Sequence, residues 1–126
     1  MALQGTSLPK TMRAVVCHGP EDYRLEELPV PAPGPGEVVI RVSACWVCAS
    51  DVKCYVGAPL FWGDAHRKGY VQAPVTPGHE LIGEVVALGE GASAQYGLAV
   101  GDSTGCVGST TSTDFTSTRR VDWRST

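Results

Sequence analysis

Two short segments of the chain carry residue types that bind soft metal ions. Cys48 is followed within three residues by Ser50 and Asp51, and His79 is followed at once by Glu80. A thiolate and an imidazole are common ligands of zinc, and zinc with an open coordination position polarises an alcohol oxygen and lowers its pKa. The two segments therefore predict part of a catalytic zinc site.

The neighbouring side chains suit the same chemistry. A zinc-binding histidine commonly donates its second N–H to a carboxylate, a role that fits Asp51. The hydroxyl of Ser50 is placed to pass on a proton from an alcohol, and Glu80 either supports the site or binds the metal directly. Cys48 and His79 alone fall short of the three or four ligands that zinc needs. An ordinary buried cysteine, a loop histidine, capping side chains and a surface carboxylate therefore stay open as alternatives.

Cys45 and Cys48 together form a C-x-x-C motif, which has two further interpretations. A redox pair would start a helix in a thioredoxin-like βαβ unit, and a zinc knuckle would need a second Cys or His pair at short spacing. The sequence pattern favours neither. The five cysteines are an odd number, which argues against a disulfide framework.

Length and composition bound the class of protein. The 126 residues fit one domain with its own core, and 43% hydrophobic and 18% charged residues are typical of a globular chain. The net charge of −3 gives no electrostatic reason to expect nucleic acid or an anionic membrane as a partner. Because we find no apolar run near the roughly 20 residues of a membrane span and no signal peptide, we expect a cytoplasmic protein.

The elements that must position these residues are mainly short strands. Strands are predicted at residues 11–17, 23–28, 37–44 and 81–88. Gly83 interrupts the last of them, which indicates a bulge or a close backbone approach. A helical turn is predicted at residues 50–55, capped by Ser50 or Asp51, and residues 57–77 are expected to form a long loop.

This pattern predicts an all-β fold with short helical turns. We expect a flexible N-terminus at residues 1–10 and a folded domain at residues 11–102. Residues 103–126 are half Ser and Thr and have no apolar periodicity. Such a segment cannot offset its ordering entropy by burial, so we expect a disordered C-terminal tail.

Six segments occur in an order that resembles one enzyme family. They are 12–16 (Met-Arg-Ala-Val-Val), 34–38 (Gly-Pro-Gly-Glu-Val), 48–52 (Cys-Ala-Ser-Asp-Val), 77–80 (Pro-Gly-His-Glu), 83–86 (Gly-Glu-Val-Val) and 100–102 (Val-Gly-Asp). The chain over about residues 11–102 looks like the N-terminal GroES-like catalytic domain of zinc-dependent medium-chain alcohol dehydrogenases. The resemblance implies a GroES-like, partly open β-barrel that is incomplete in this chain.

The resemblance also implies roles for the residues named above. Cys48 and His79 match the first two catalytic zinc ligands, and Glu80 matches the acidic residue behind the metal. Asp51 matches the partner of the ligand histidine, and Ser50 matches the proton-relay hydroxyl. Full-length relatives oxidise an alcohol by hydride transfer to NAD(P)⁺ and are expected to be homo-oligomers. The loop that carries Tyr55, Phe61, Trp62 and Asp64 is similar to that of polyol or threonine-type dehydrogenases, and a small alcohol or polyol is the expected substrate.

The chain departs from the family pattern in three ways. Trp46 stands where the family usually has a glycine, two residues before the ligand cysteine. The third zinc ligand and the cofactor domain lie beyond the matching segments, and no G-x-G-x-x-G fingerprint is present to hold NAD(P). The composition changes abruptly at Ser103, which indicates a truncated or aberrantly terminated member.

We therefore expect a chain that keeps part of the metal site and is inactive alone. Two other functions stay open. The first is a non-enzymatic zinc-binding or interaction module, and the second is a GroES-like co-chaperone, for which fold analogy is a weak warrant. The co-chaperone function gives the Cys48 and His79 pair no role.

Overall fold

The computed structural model describes residues 8–107 and 117–118 of the chain. Six strands and three short helices make up this part. The strands are β1 (Thr11–Gly19), β2 (Asp22–Pro29), β3 (Val38–Cys45), β4 (Glu80–Leu88), β5 (Ser103–Val107) and β6 (Ser117–Thr118). The helices are α1 (Ala49–Tyr55), α2 (Pro59–Trp62) and α3 (Ala92–Tyr96). The prediction of a mainly β fold with short helical turns is confirmed, and no sheet in this part closes into a barrel.

The strands form two antiparallel sheets. β1 and β2 are joined by a tight turn at Pro20 and Glu21 and pair along nearly their whole length. The second sheet has the order β5-β4-β3-β6, so β4 and β3 lie at its centre. Cys17 of β1 exchanges two backbone hydrogen bonds with Val75, at 2.8 and 3.0 Å. This bridge ties the β1–β2 sheet to the loop that leads into β4.

The core lies along the central strand pair, and most of it is at the end where β3 begins and β4 ends. Val38 and Val85 are fully buried and Ile40 is 1% exposed. β-branched side chains favour extended backbone, and here they also supply the apolar contacts of the sheet. Leu81 and Ala92 complete the buried cluster. α3 therefore covers the end of the sheet at which β3 begins and β4 ends.

Gly83 occupies the close backbone approach that the sequence predicts. A Cβ atom at this position would lie 2.2 Å from the carbonyl oxygen of Arg41 on β3. The register of the β3–β4 pair also shifts between Val42 and Ala44, next to this glycine. Both parts of the expectation, an irregular ladder and a close approach, are thus confirmed.

Two local expectations need correction, and one helix was not predicted. Residues 59–62 form α2 inside the segment expected to be a loop, where Pro59 begins the helix at a position that needs no N–H donor. α3, the helix that was not predicted, follows Gly91, whose positive φ of 76° starts the turn. Ser103–Val107, assigned to the disordered tail, pairs with β4 as β5. Backbone pairing does not require an apolar pattern, which is why composition misplaced this strand. Residues 1–7, 108–116 and 119–126 lie outside the described residues.

Within the described residues, no helix is both long and apolar enough to cross a membrane.

Candidate metal centre

The first residue of the candidate centre is placed by the start of α1. Cys48 is the N-cap of this helix, with extended backbone angles. The Asp51 carboxylate accepts a hydrogen bond from the Cys48 backbone N–H at 2.8 Å, and the Cys48 sulfur receives the backbone N–H of Asp51 in return. This is a capping box in which sulfur takes the place of a hydroxyl oxygen. The expectation that Ser50 or Asp51 caps the helix was therefore wrong by two or three positions.

The second residue is placed by the start of β4. The Trp46 backbone N–H donates to the Glu80 carbonyl at 2.8 Å, which joins the end of β3 to the beginning of β4. Gly78 has a φ of 104°, a conformation that favours glycine, and it turns the chain just before His79. His79 thereby faces the N-terminus of α1, and its Nε2 atom lies 3.5 Å from the Cys48 sulfur.

The spacing of the donor atoms can be compared with a tetrahedral zinc site. Ideal Zn–S and Zn–N bond lengths place a thiolate and an imidazole nitrogen about 3.6 Å apart, close to the 3.5 Å between Cys48 and His79. The Glu80 carboxylate lies 4.0 Å from His79 Nε2, slightly wider than the roughly 3.4 Å expected for two ligands of one ion. One donor atom each from Cys48, His79 and Glu80 lie within 4.8 Å of one another. The donor set fits zinc in both chemistry and spacing.

Two further side chains surround this cluster. An Asp51 carboxylate oxygen lies 3.7 Å from His79 Nδ1, the ring nitrogen that faces away from the sulfur. The Ser50 hydroxyl lies 2.8 Å from the Cys48 sulfur. The structure thus brings together all five residues that the sequence singled out, each of them partly buried.

Cys45 also lies beside the cluster, although sequence reasoning gave it no role in the centre. It is the last residue of β3 and is exposed. Its sulfur is 3.7 Å from the Trp46 carbonyl oxygen. Partial burial raises the pKa of the Cys45 thiol, as do the nearby charges of Asp51, Glu80 and Cys48, whereas the Glu80 backbone N–H lowers it. Spacing alone could have found it, because Cys45 and Cys48 are a C-x-x-C pair.

An open cavity of about 840 Å³ begins at Glu80 and runs over the sheet. The Trp46 side chain, 53% exposed, lines it next to Glu80. The hydroxyl residue Thr104 of β5 and the carboxylate of Glu84 lie further along. Of the three residues in the cluster, Glu80 lines this cavity.

A glycine-rich turn after β4 partly matches a dinucleotide-binding fingerprint. Gly89, Gly91 and Ala94 fit a loose G-x-G-x-x-A pattern at the start of α3. However, β4 is antiparallel to both its neighbours, whereas the fingerprint requires a parallel βαβ unit. The need for glycine at position 89 is steric, because a Cβ there would lie 1.8 Å from the Gly34 carbonyl oxygen. The turn is a packing feature of the sheet.

The geometry agrees with comparisons to known proteins. A family profile described as "Alcohol dehydrogenase GroES-like domain" matches residues 34–120. The chain is 56% identical over 95 residues to an erythritol/L-threitol dehydrogenase of Mycolicibacterium smegmatis, covering 75% of this chain and 26% of the relative. It is 43% identical over 82 residues to (R,R)-butanediol dehydrogenase of Bacillus subtilis, covering 64% of this chain and 24% of the relative.

Solved structures of the same kind share the fold. The crystal structure of 2R,3R-butanediol dehydrogenase from Bacillus subtilis superposes with a TM-score of 0.60 at 39% identity, covering 74% of this chain and 26% of that one. A thermostable alcohol dehydrogenase from Pyrobaculum aerophilum gives a TM-score of 0.60 at 33% identity, covering 75% and 26%. The chain belongs to the GroES-like domain family of the alcohol dehydrogenases. It spans about a quarter of the length of the curated relatives above.

Proposed function

We propose that this chain is the zinc-binding catalytic portion of a medium-chain alcohol or polyol dehydrogenase. The observation that carries the proposal is the convergence of Cys48, His79 and Glu80, with 3.5 Å between the sulfur and the imidazole nitrogen. Membership of the GroES-like family supports the same function. Zinc in such a site would act as a Lewis acid that lowers the pKa of an alcohol hydroxyl.

The residues around the cluster then have distinct tasks. Asp51 positions His79, because a carboxylate near Nδ1 favours the tautomer that leaves Nε2 free to bind metal. Ser50 is next to the cluster through its 2.8 Å contact with the Cys48 sulfur. It would accept the proton that an alcohol loses and pass it towards solvent. Glu80 would serve as a third ligand or as an acidic support on the cavity side.

The substrate and the hydride acceptor are further parts of the proposal. The relatives named for erythritol, threitol and butanediol favour a small polyhydroxylated alcohol as substrate. The hydride would pass to NAD(P)⁺, as in full-length relatives, but the described residues form no parallel βαβ unit to hold it. We therefore expect this chain to bind zinc and to lack turnover alone. A cytoplasmic location and homo-oligomers of the full-length enzymes stay predictions.

Zinc binding is tested first by metal analysis and thermal unfolding of the purified chain. We expect one zinc per chain and a higher melting temperature with zinc than with a chelator. Zinc at 100 times its dissociation constant would add about 2.7 kcal/mol to the stability. Cys48→Ala and His79→Ala should abolish this shift. His66→Ala is the matched control, because His66 is an exposed loop histidine outside the cluster. A shift that survives in His79→Ala would refute the proposed ligands.

Activity assays distinguish the dehydrogenase function from a zinc-binding module that takes no part in catalysis. The chain should not reduce NAD⁺ or NADP⁺ with erythritol, threitol or 2,3-butanediol. A chimaera in which residues 11–102 replace the matching segment of the Bacillus subtilis butanediol dehydrogenase should oxidise one of these alcohols. Loss of that activity in Ser50→Ala, with retained zinc, would support the proton-transfer role. A folded, zinc-loaded chimaera with no activity would favour the module.

A further inference from the structure

The side chain of Trp46 has no task in the function proposed above. Its backbone is fixed between the two ligand segments, because its N–H donates to the Glu80 carbonyl at 2.8 Å and Cys48 follows two residues later. The side chain is nevertheless 53% exposed. An indole combines a large apolar surface with one N–H donor, which is why tryptophan is common where a ligand or partner covers it.

Trp46 lines the open cavity that begins at Glu80. The cavity has a volume of about 840 Å³, within the range of about 300–1,000 Å³ that small-molecule sites occupy. Ile82, 45% exposed, also lines it, so two exposed apolar side chains share this space. Small-molecule sites are mostly apolar and carry a few polar groups that fix the orientation of the ligand.

Polar groups are present along the same cavity. Its lining includes the hydroxyl residues Ser43 and Ser103 and the acidic residue Glu84. Arg41 holds the Glu84 carboxylate at 2.5 Å from the opposite strand. A molecule with a short carbon chain and several hydroxyl groups presents both kinds of surface, and it therefore matches this lining better than a purely apolar ligand does.

Glu80 connects the cavity to the metal cluster. It is one of the lining residues, and its carboxylate lies 4.0 Å from His79 Nε2. A catalytic zinc ion keeps one coordination position open for an alcohol oxygen. An alcohol bound there would leave the rest of its carbon chain to be placed by neighbouring side chains, and Trp46 is the largest apolar side chain among the lining residues.

We propose that Trp46 is a specificity-determining residue, whose indole packs against the carbon chain of a small polyhydroxy alcohol in this cavity. The inference rests on the proposed zinc function and adds the residue that selects the substrate. A tenfold gain in affinity corresponds to about 1.4 kcal/mol, which covering about 60 Å² of apolar surface supplies. An indole can bury up to about 250 Å². The same ring takes up space that a bulky substituent would need.

Heteronuclear NMR of the indole N–H groups in the zinc-loaded chain tests the contact directly. The chain has three tryptophans, and the peak that is missing in Trp46→Ala identifies Trp46. We expect erythritol to shift this peak in a saturable way. The Trp62 peak should not move, because its N–H donates to the Cys54 carbonyl at 2.8 Å.

Two results of this titration would overturn the inference. The first is a Trp46 peak that does not move up to molar erythritol, and the second is an equal shift with zinc and with a chelator, which would mean that the alcohol binds away from the metal. In both cases the proposed zinc site stands if zinc still raises the melting temperature. If zinc does not raise it, the proposed function fails and the inference fails with it.

A reversal of ligand preference separates selection by the indole from a general loss of structure. Trp46→Ala should weaken erythritol binding by at least about tenfold and should bind styrene glycol more tightly than the parent chain does, because the phenyl group can occupy the vacated space. Trp46→Phe keeps an apolar ring and should lose less erythritol affinity. Zinc binding should be unchanged in both variants, because the hydrogen bond to Glu80 comes from the backbone.

Trp62→Phe is the matched control, since Trp62 is outside the residues that line the cavity. It should change the affinity for neither alcohol. Erythritol affinity that is retained in Trp46→Ala would contradict the inference, as would a parallel loss of affinity for both alcohols with zinc binding intact.

Discussion

The two ends of β3 lie in the same antiparallel ladder but have opposite environments. Val38, Val39 and Ile40 are at most 1% exposed, whereas residues 43–45 at the other end are all exposed. Both ends pair with β4. Backbone hydrogen bonds thus run through the whole strand, while apolar burial stops halfway. On β3 itself the buried end and the end nearest the metal ligands are therefore separate, although Leu81 of β4, opposite Cys45, is 3% exposed and belongs to the core.

The helix that follows β3 repeats this division on a smaller scale. α1 begins at the metal cluster with Cys48 as its cap, and its other end buries Cys54. The Tyr55 carbonyl accepts the Glu21 backbone N–H at 2.8 Å, and the Tyr55 ring packs edge-on against Tyr23. The buried end fixes α1 against the β1–β2 sheet. The partly buried end can then hold the Cys48 sulfur at a defined place.

The largest difference between the two ends should appear in their contribution to stability. Ile40→Ala removes a side chain that is 1% exposed and should lower the free energy of unfolding by about 2–5 kcal/mol. Ile82→Ala, at a position that is 45% exposed on β4, should cost less than about 1 kcal/mol. Urea unfolding followed by circular dichroism gives both values. Equal losses would show that Ile82 is packed as tightly as Ile40.

A steric change next to the site should give the second largest effect. Gly83→Ala places a Cβ 2.2 Å from the Arg41 carbonyl oxygen, so the β3–β4 pair must shift. We expect a loss of about 1–3 kcal/mol and weaker zinc binding, because this pair aligns the two ligand segments. Gly19→Ala is the control, since a Cβ there has nothing within 4 Å. Similar losses in both variants would show that close approach is not the cause.

The sequence predicts the buried strand β3 better than it predicts β5 and α3. The β-branched run at residues 38–40 and the turn residues around it predict β3 well, because burial imposes the pattern. Ser103–Val107 has no apolar pattern and becomes a strand only because β4 presents an unpaired edge. α3 depends on the positive φ of Gly91, which a glycine permits but does not require. Composition therefore could not predict elements that depend on pairing with a distant strand or on the backbone conformation of one glycine.

The candidate site was predictable in its residues but not in its geometry. Cys48 and His79 could be named from their types and their family motifs. The capping box formed by Cys48 could not be predicted, because cysteine is not among the preferred capping residues. Cys45 was set aside because a zinc-binding C-x-x-C pair needs a second Cys or His pair at short spacing, which the sequence lacks.

Asp51→Asn should separate metal binding from stability at the start of α1. The amide oxygen can still accept the Cys48 N–H, so we expect a loss of about 1 kcal/mol or less. The charge beside His79 is removed, however, and zinc affinity should fall by about 10–100-fold. Asp64→Asn is a matched control, because Asp64 accepts the backbone N–H of His66 at 2.8 Å in a loop away from the cluster. It should leave zinc affinity unchanged in calorimetric titrations.

The smallest effect is expected at the buried end of α1, in the pH dependence of stability. Burial raises the pKa of Tyr23, and the Cys54 and Cys17 thiols nearby raise it further. Burial likewise raises the pKa of Cys54. In the unfolded chain such thiols ionise near about pH 8.5 and tyrosine near about pH 10. The folded state therefore binds more protons than the unfolded state above these values, and stability falls as the pH rises.

Tyr23→Phe isolates the tyrosine part of this dependence. The Tyr23 hydroxyl is buried and has no partner in hydrogen-bond geometry. Its removal should therefore change the free energy of unfolding at pH 7.5 by less than about 1 kcal/mol. Between about pH 9.5 and 11 the variant should lose stability less steeply than the parent chain. Tyr70→Phe, at a ring that is 64% exposed, should change the slope less. Parallel urea midpoints for Tyr23→Phe and the parent across this range would mean that the buried end of α1 opens to solvent. The contrast between its two ends would then be smaller than the static structure implies.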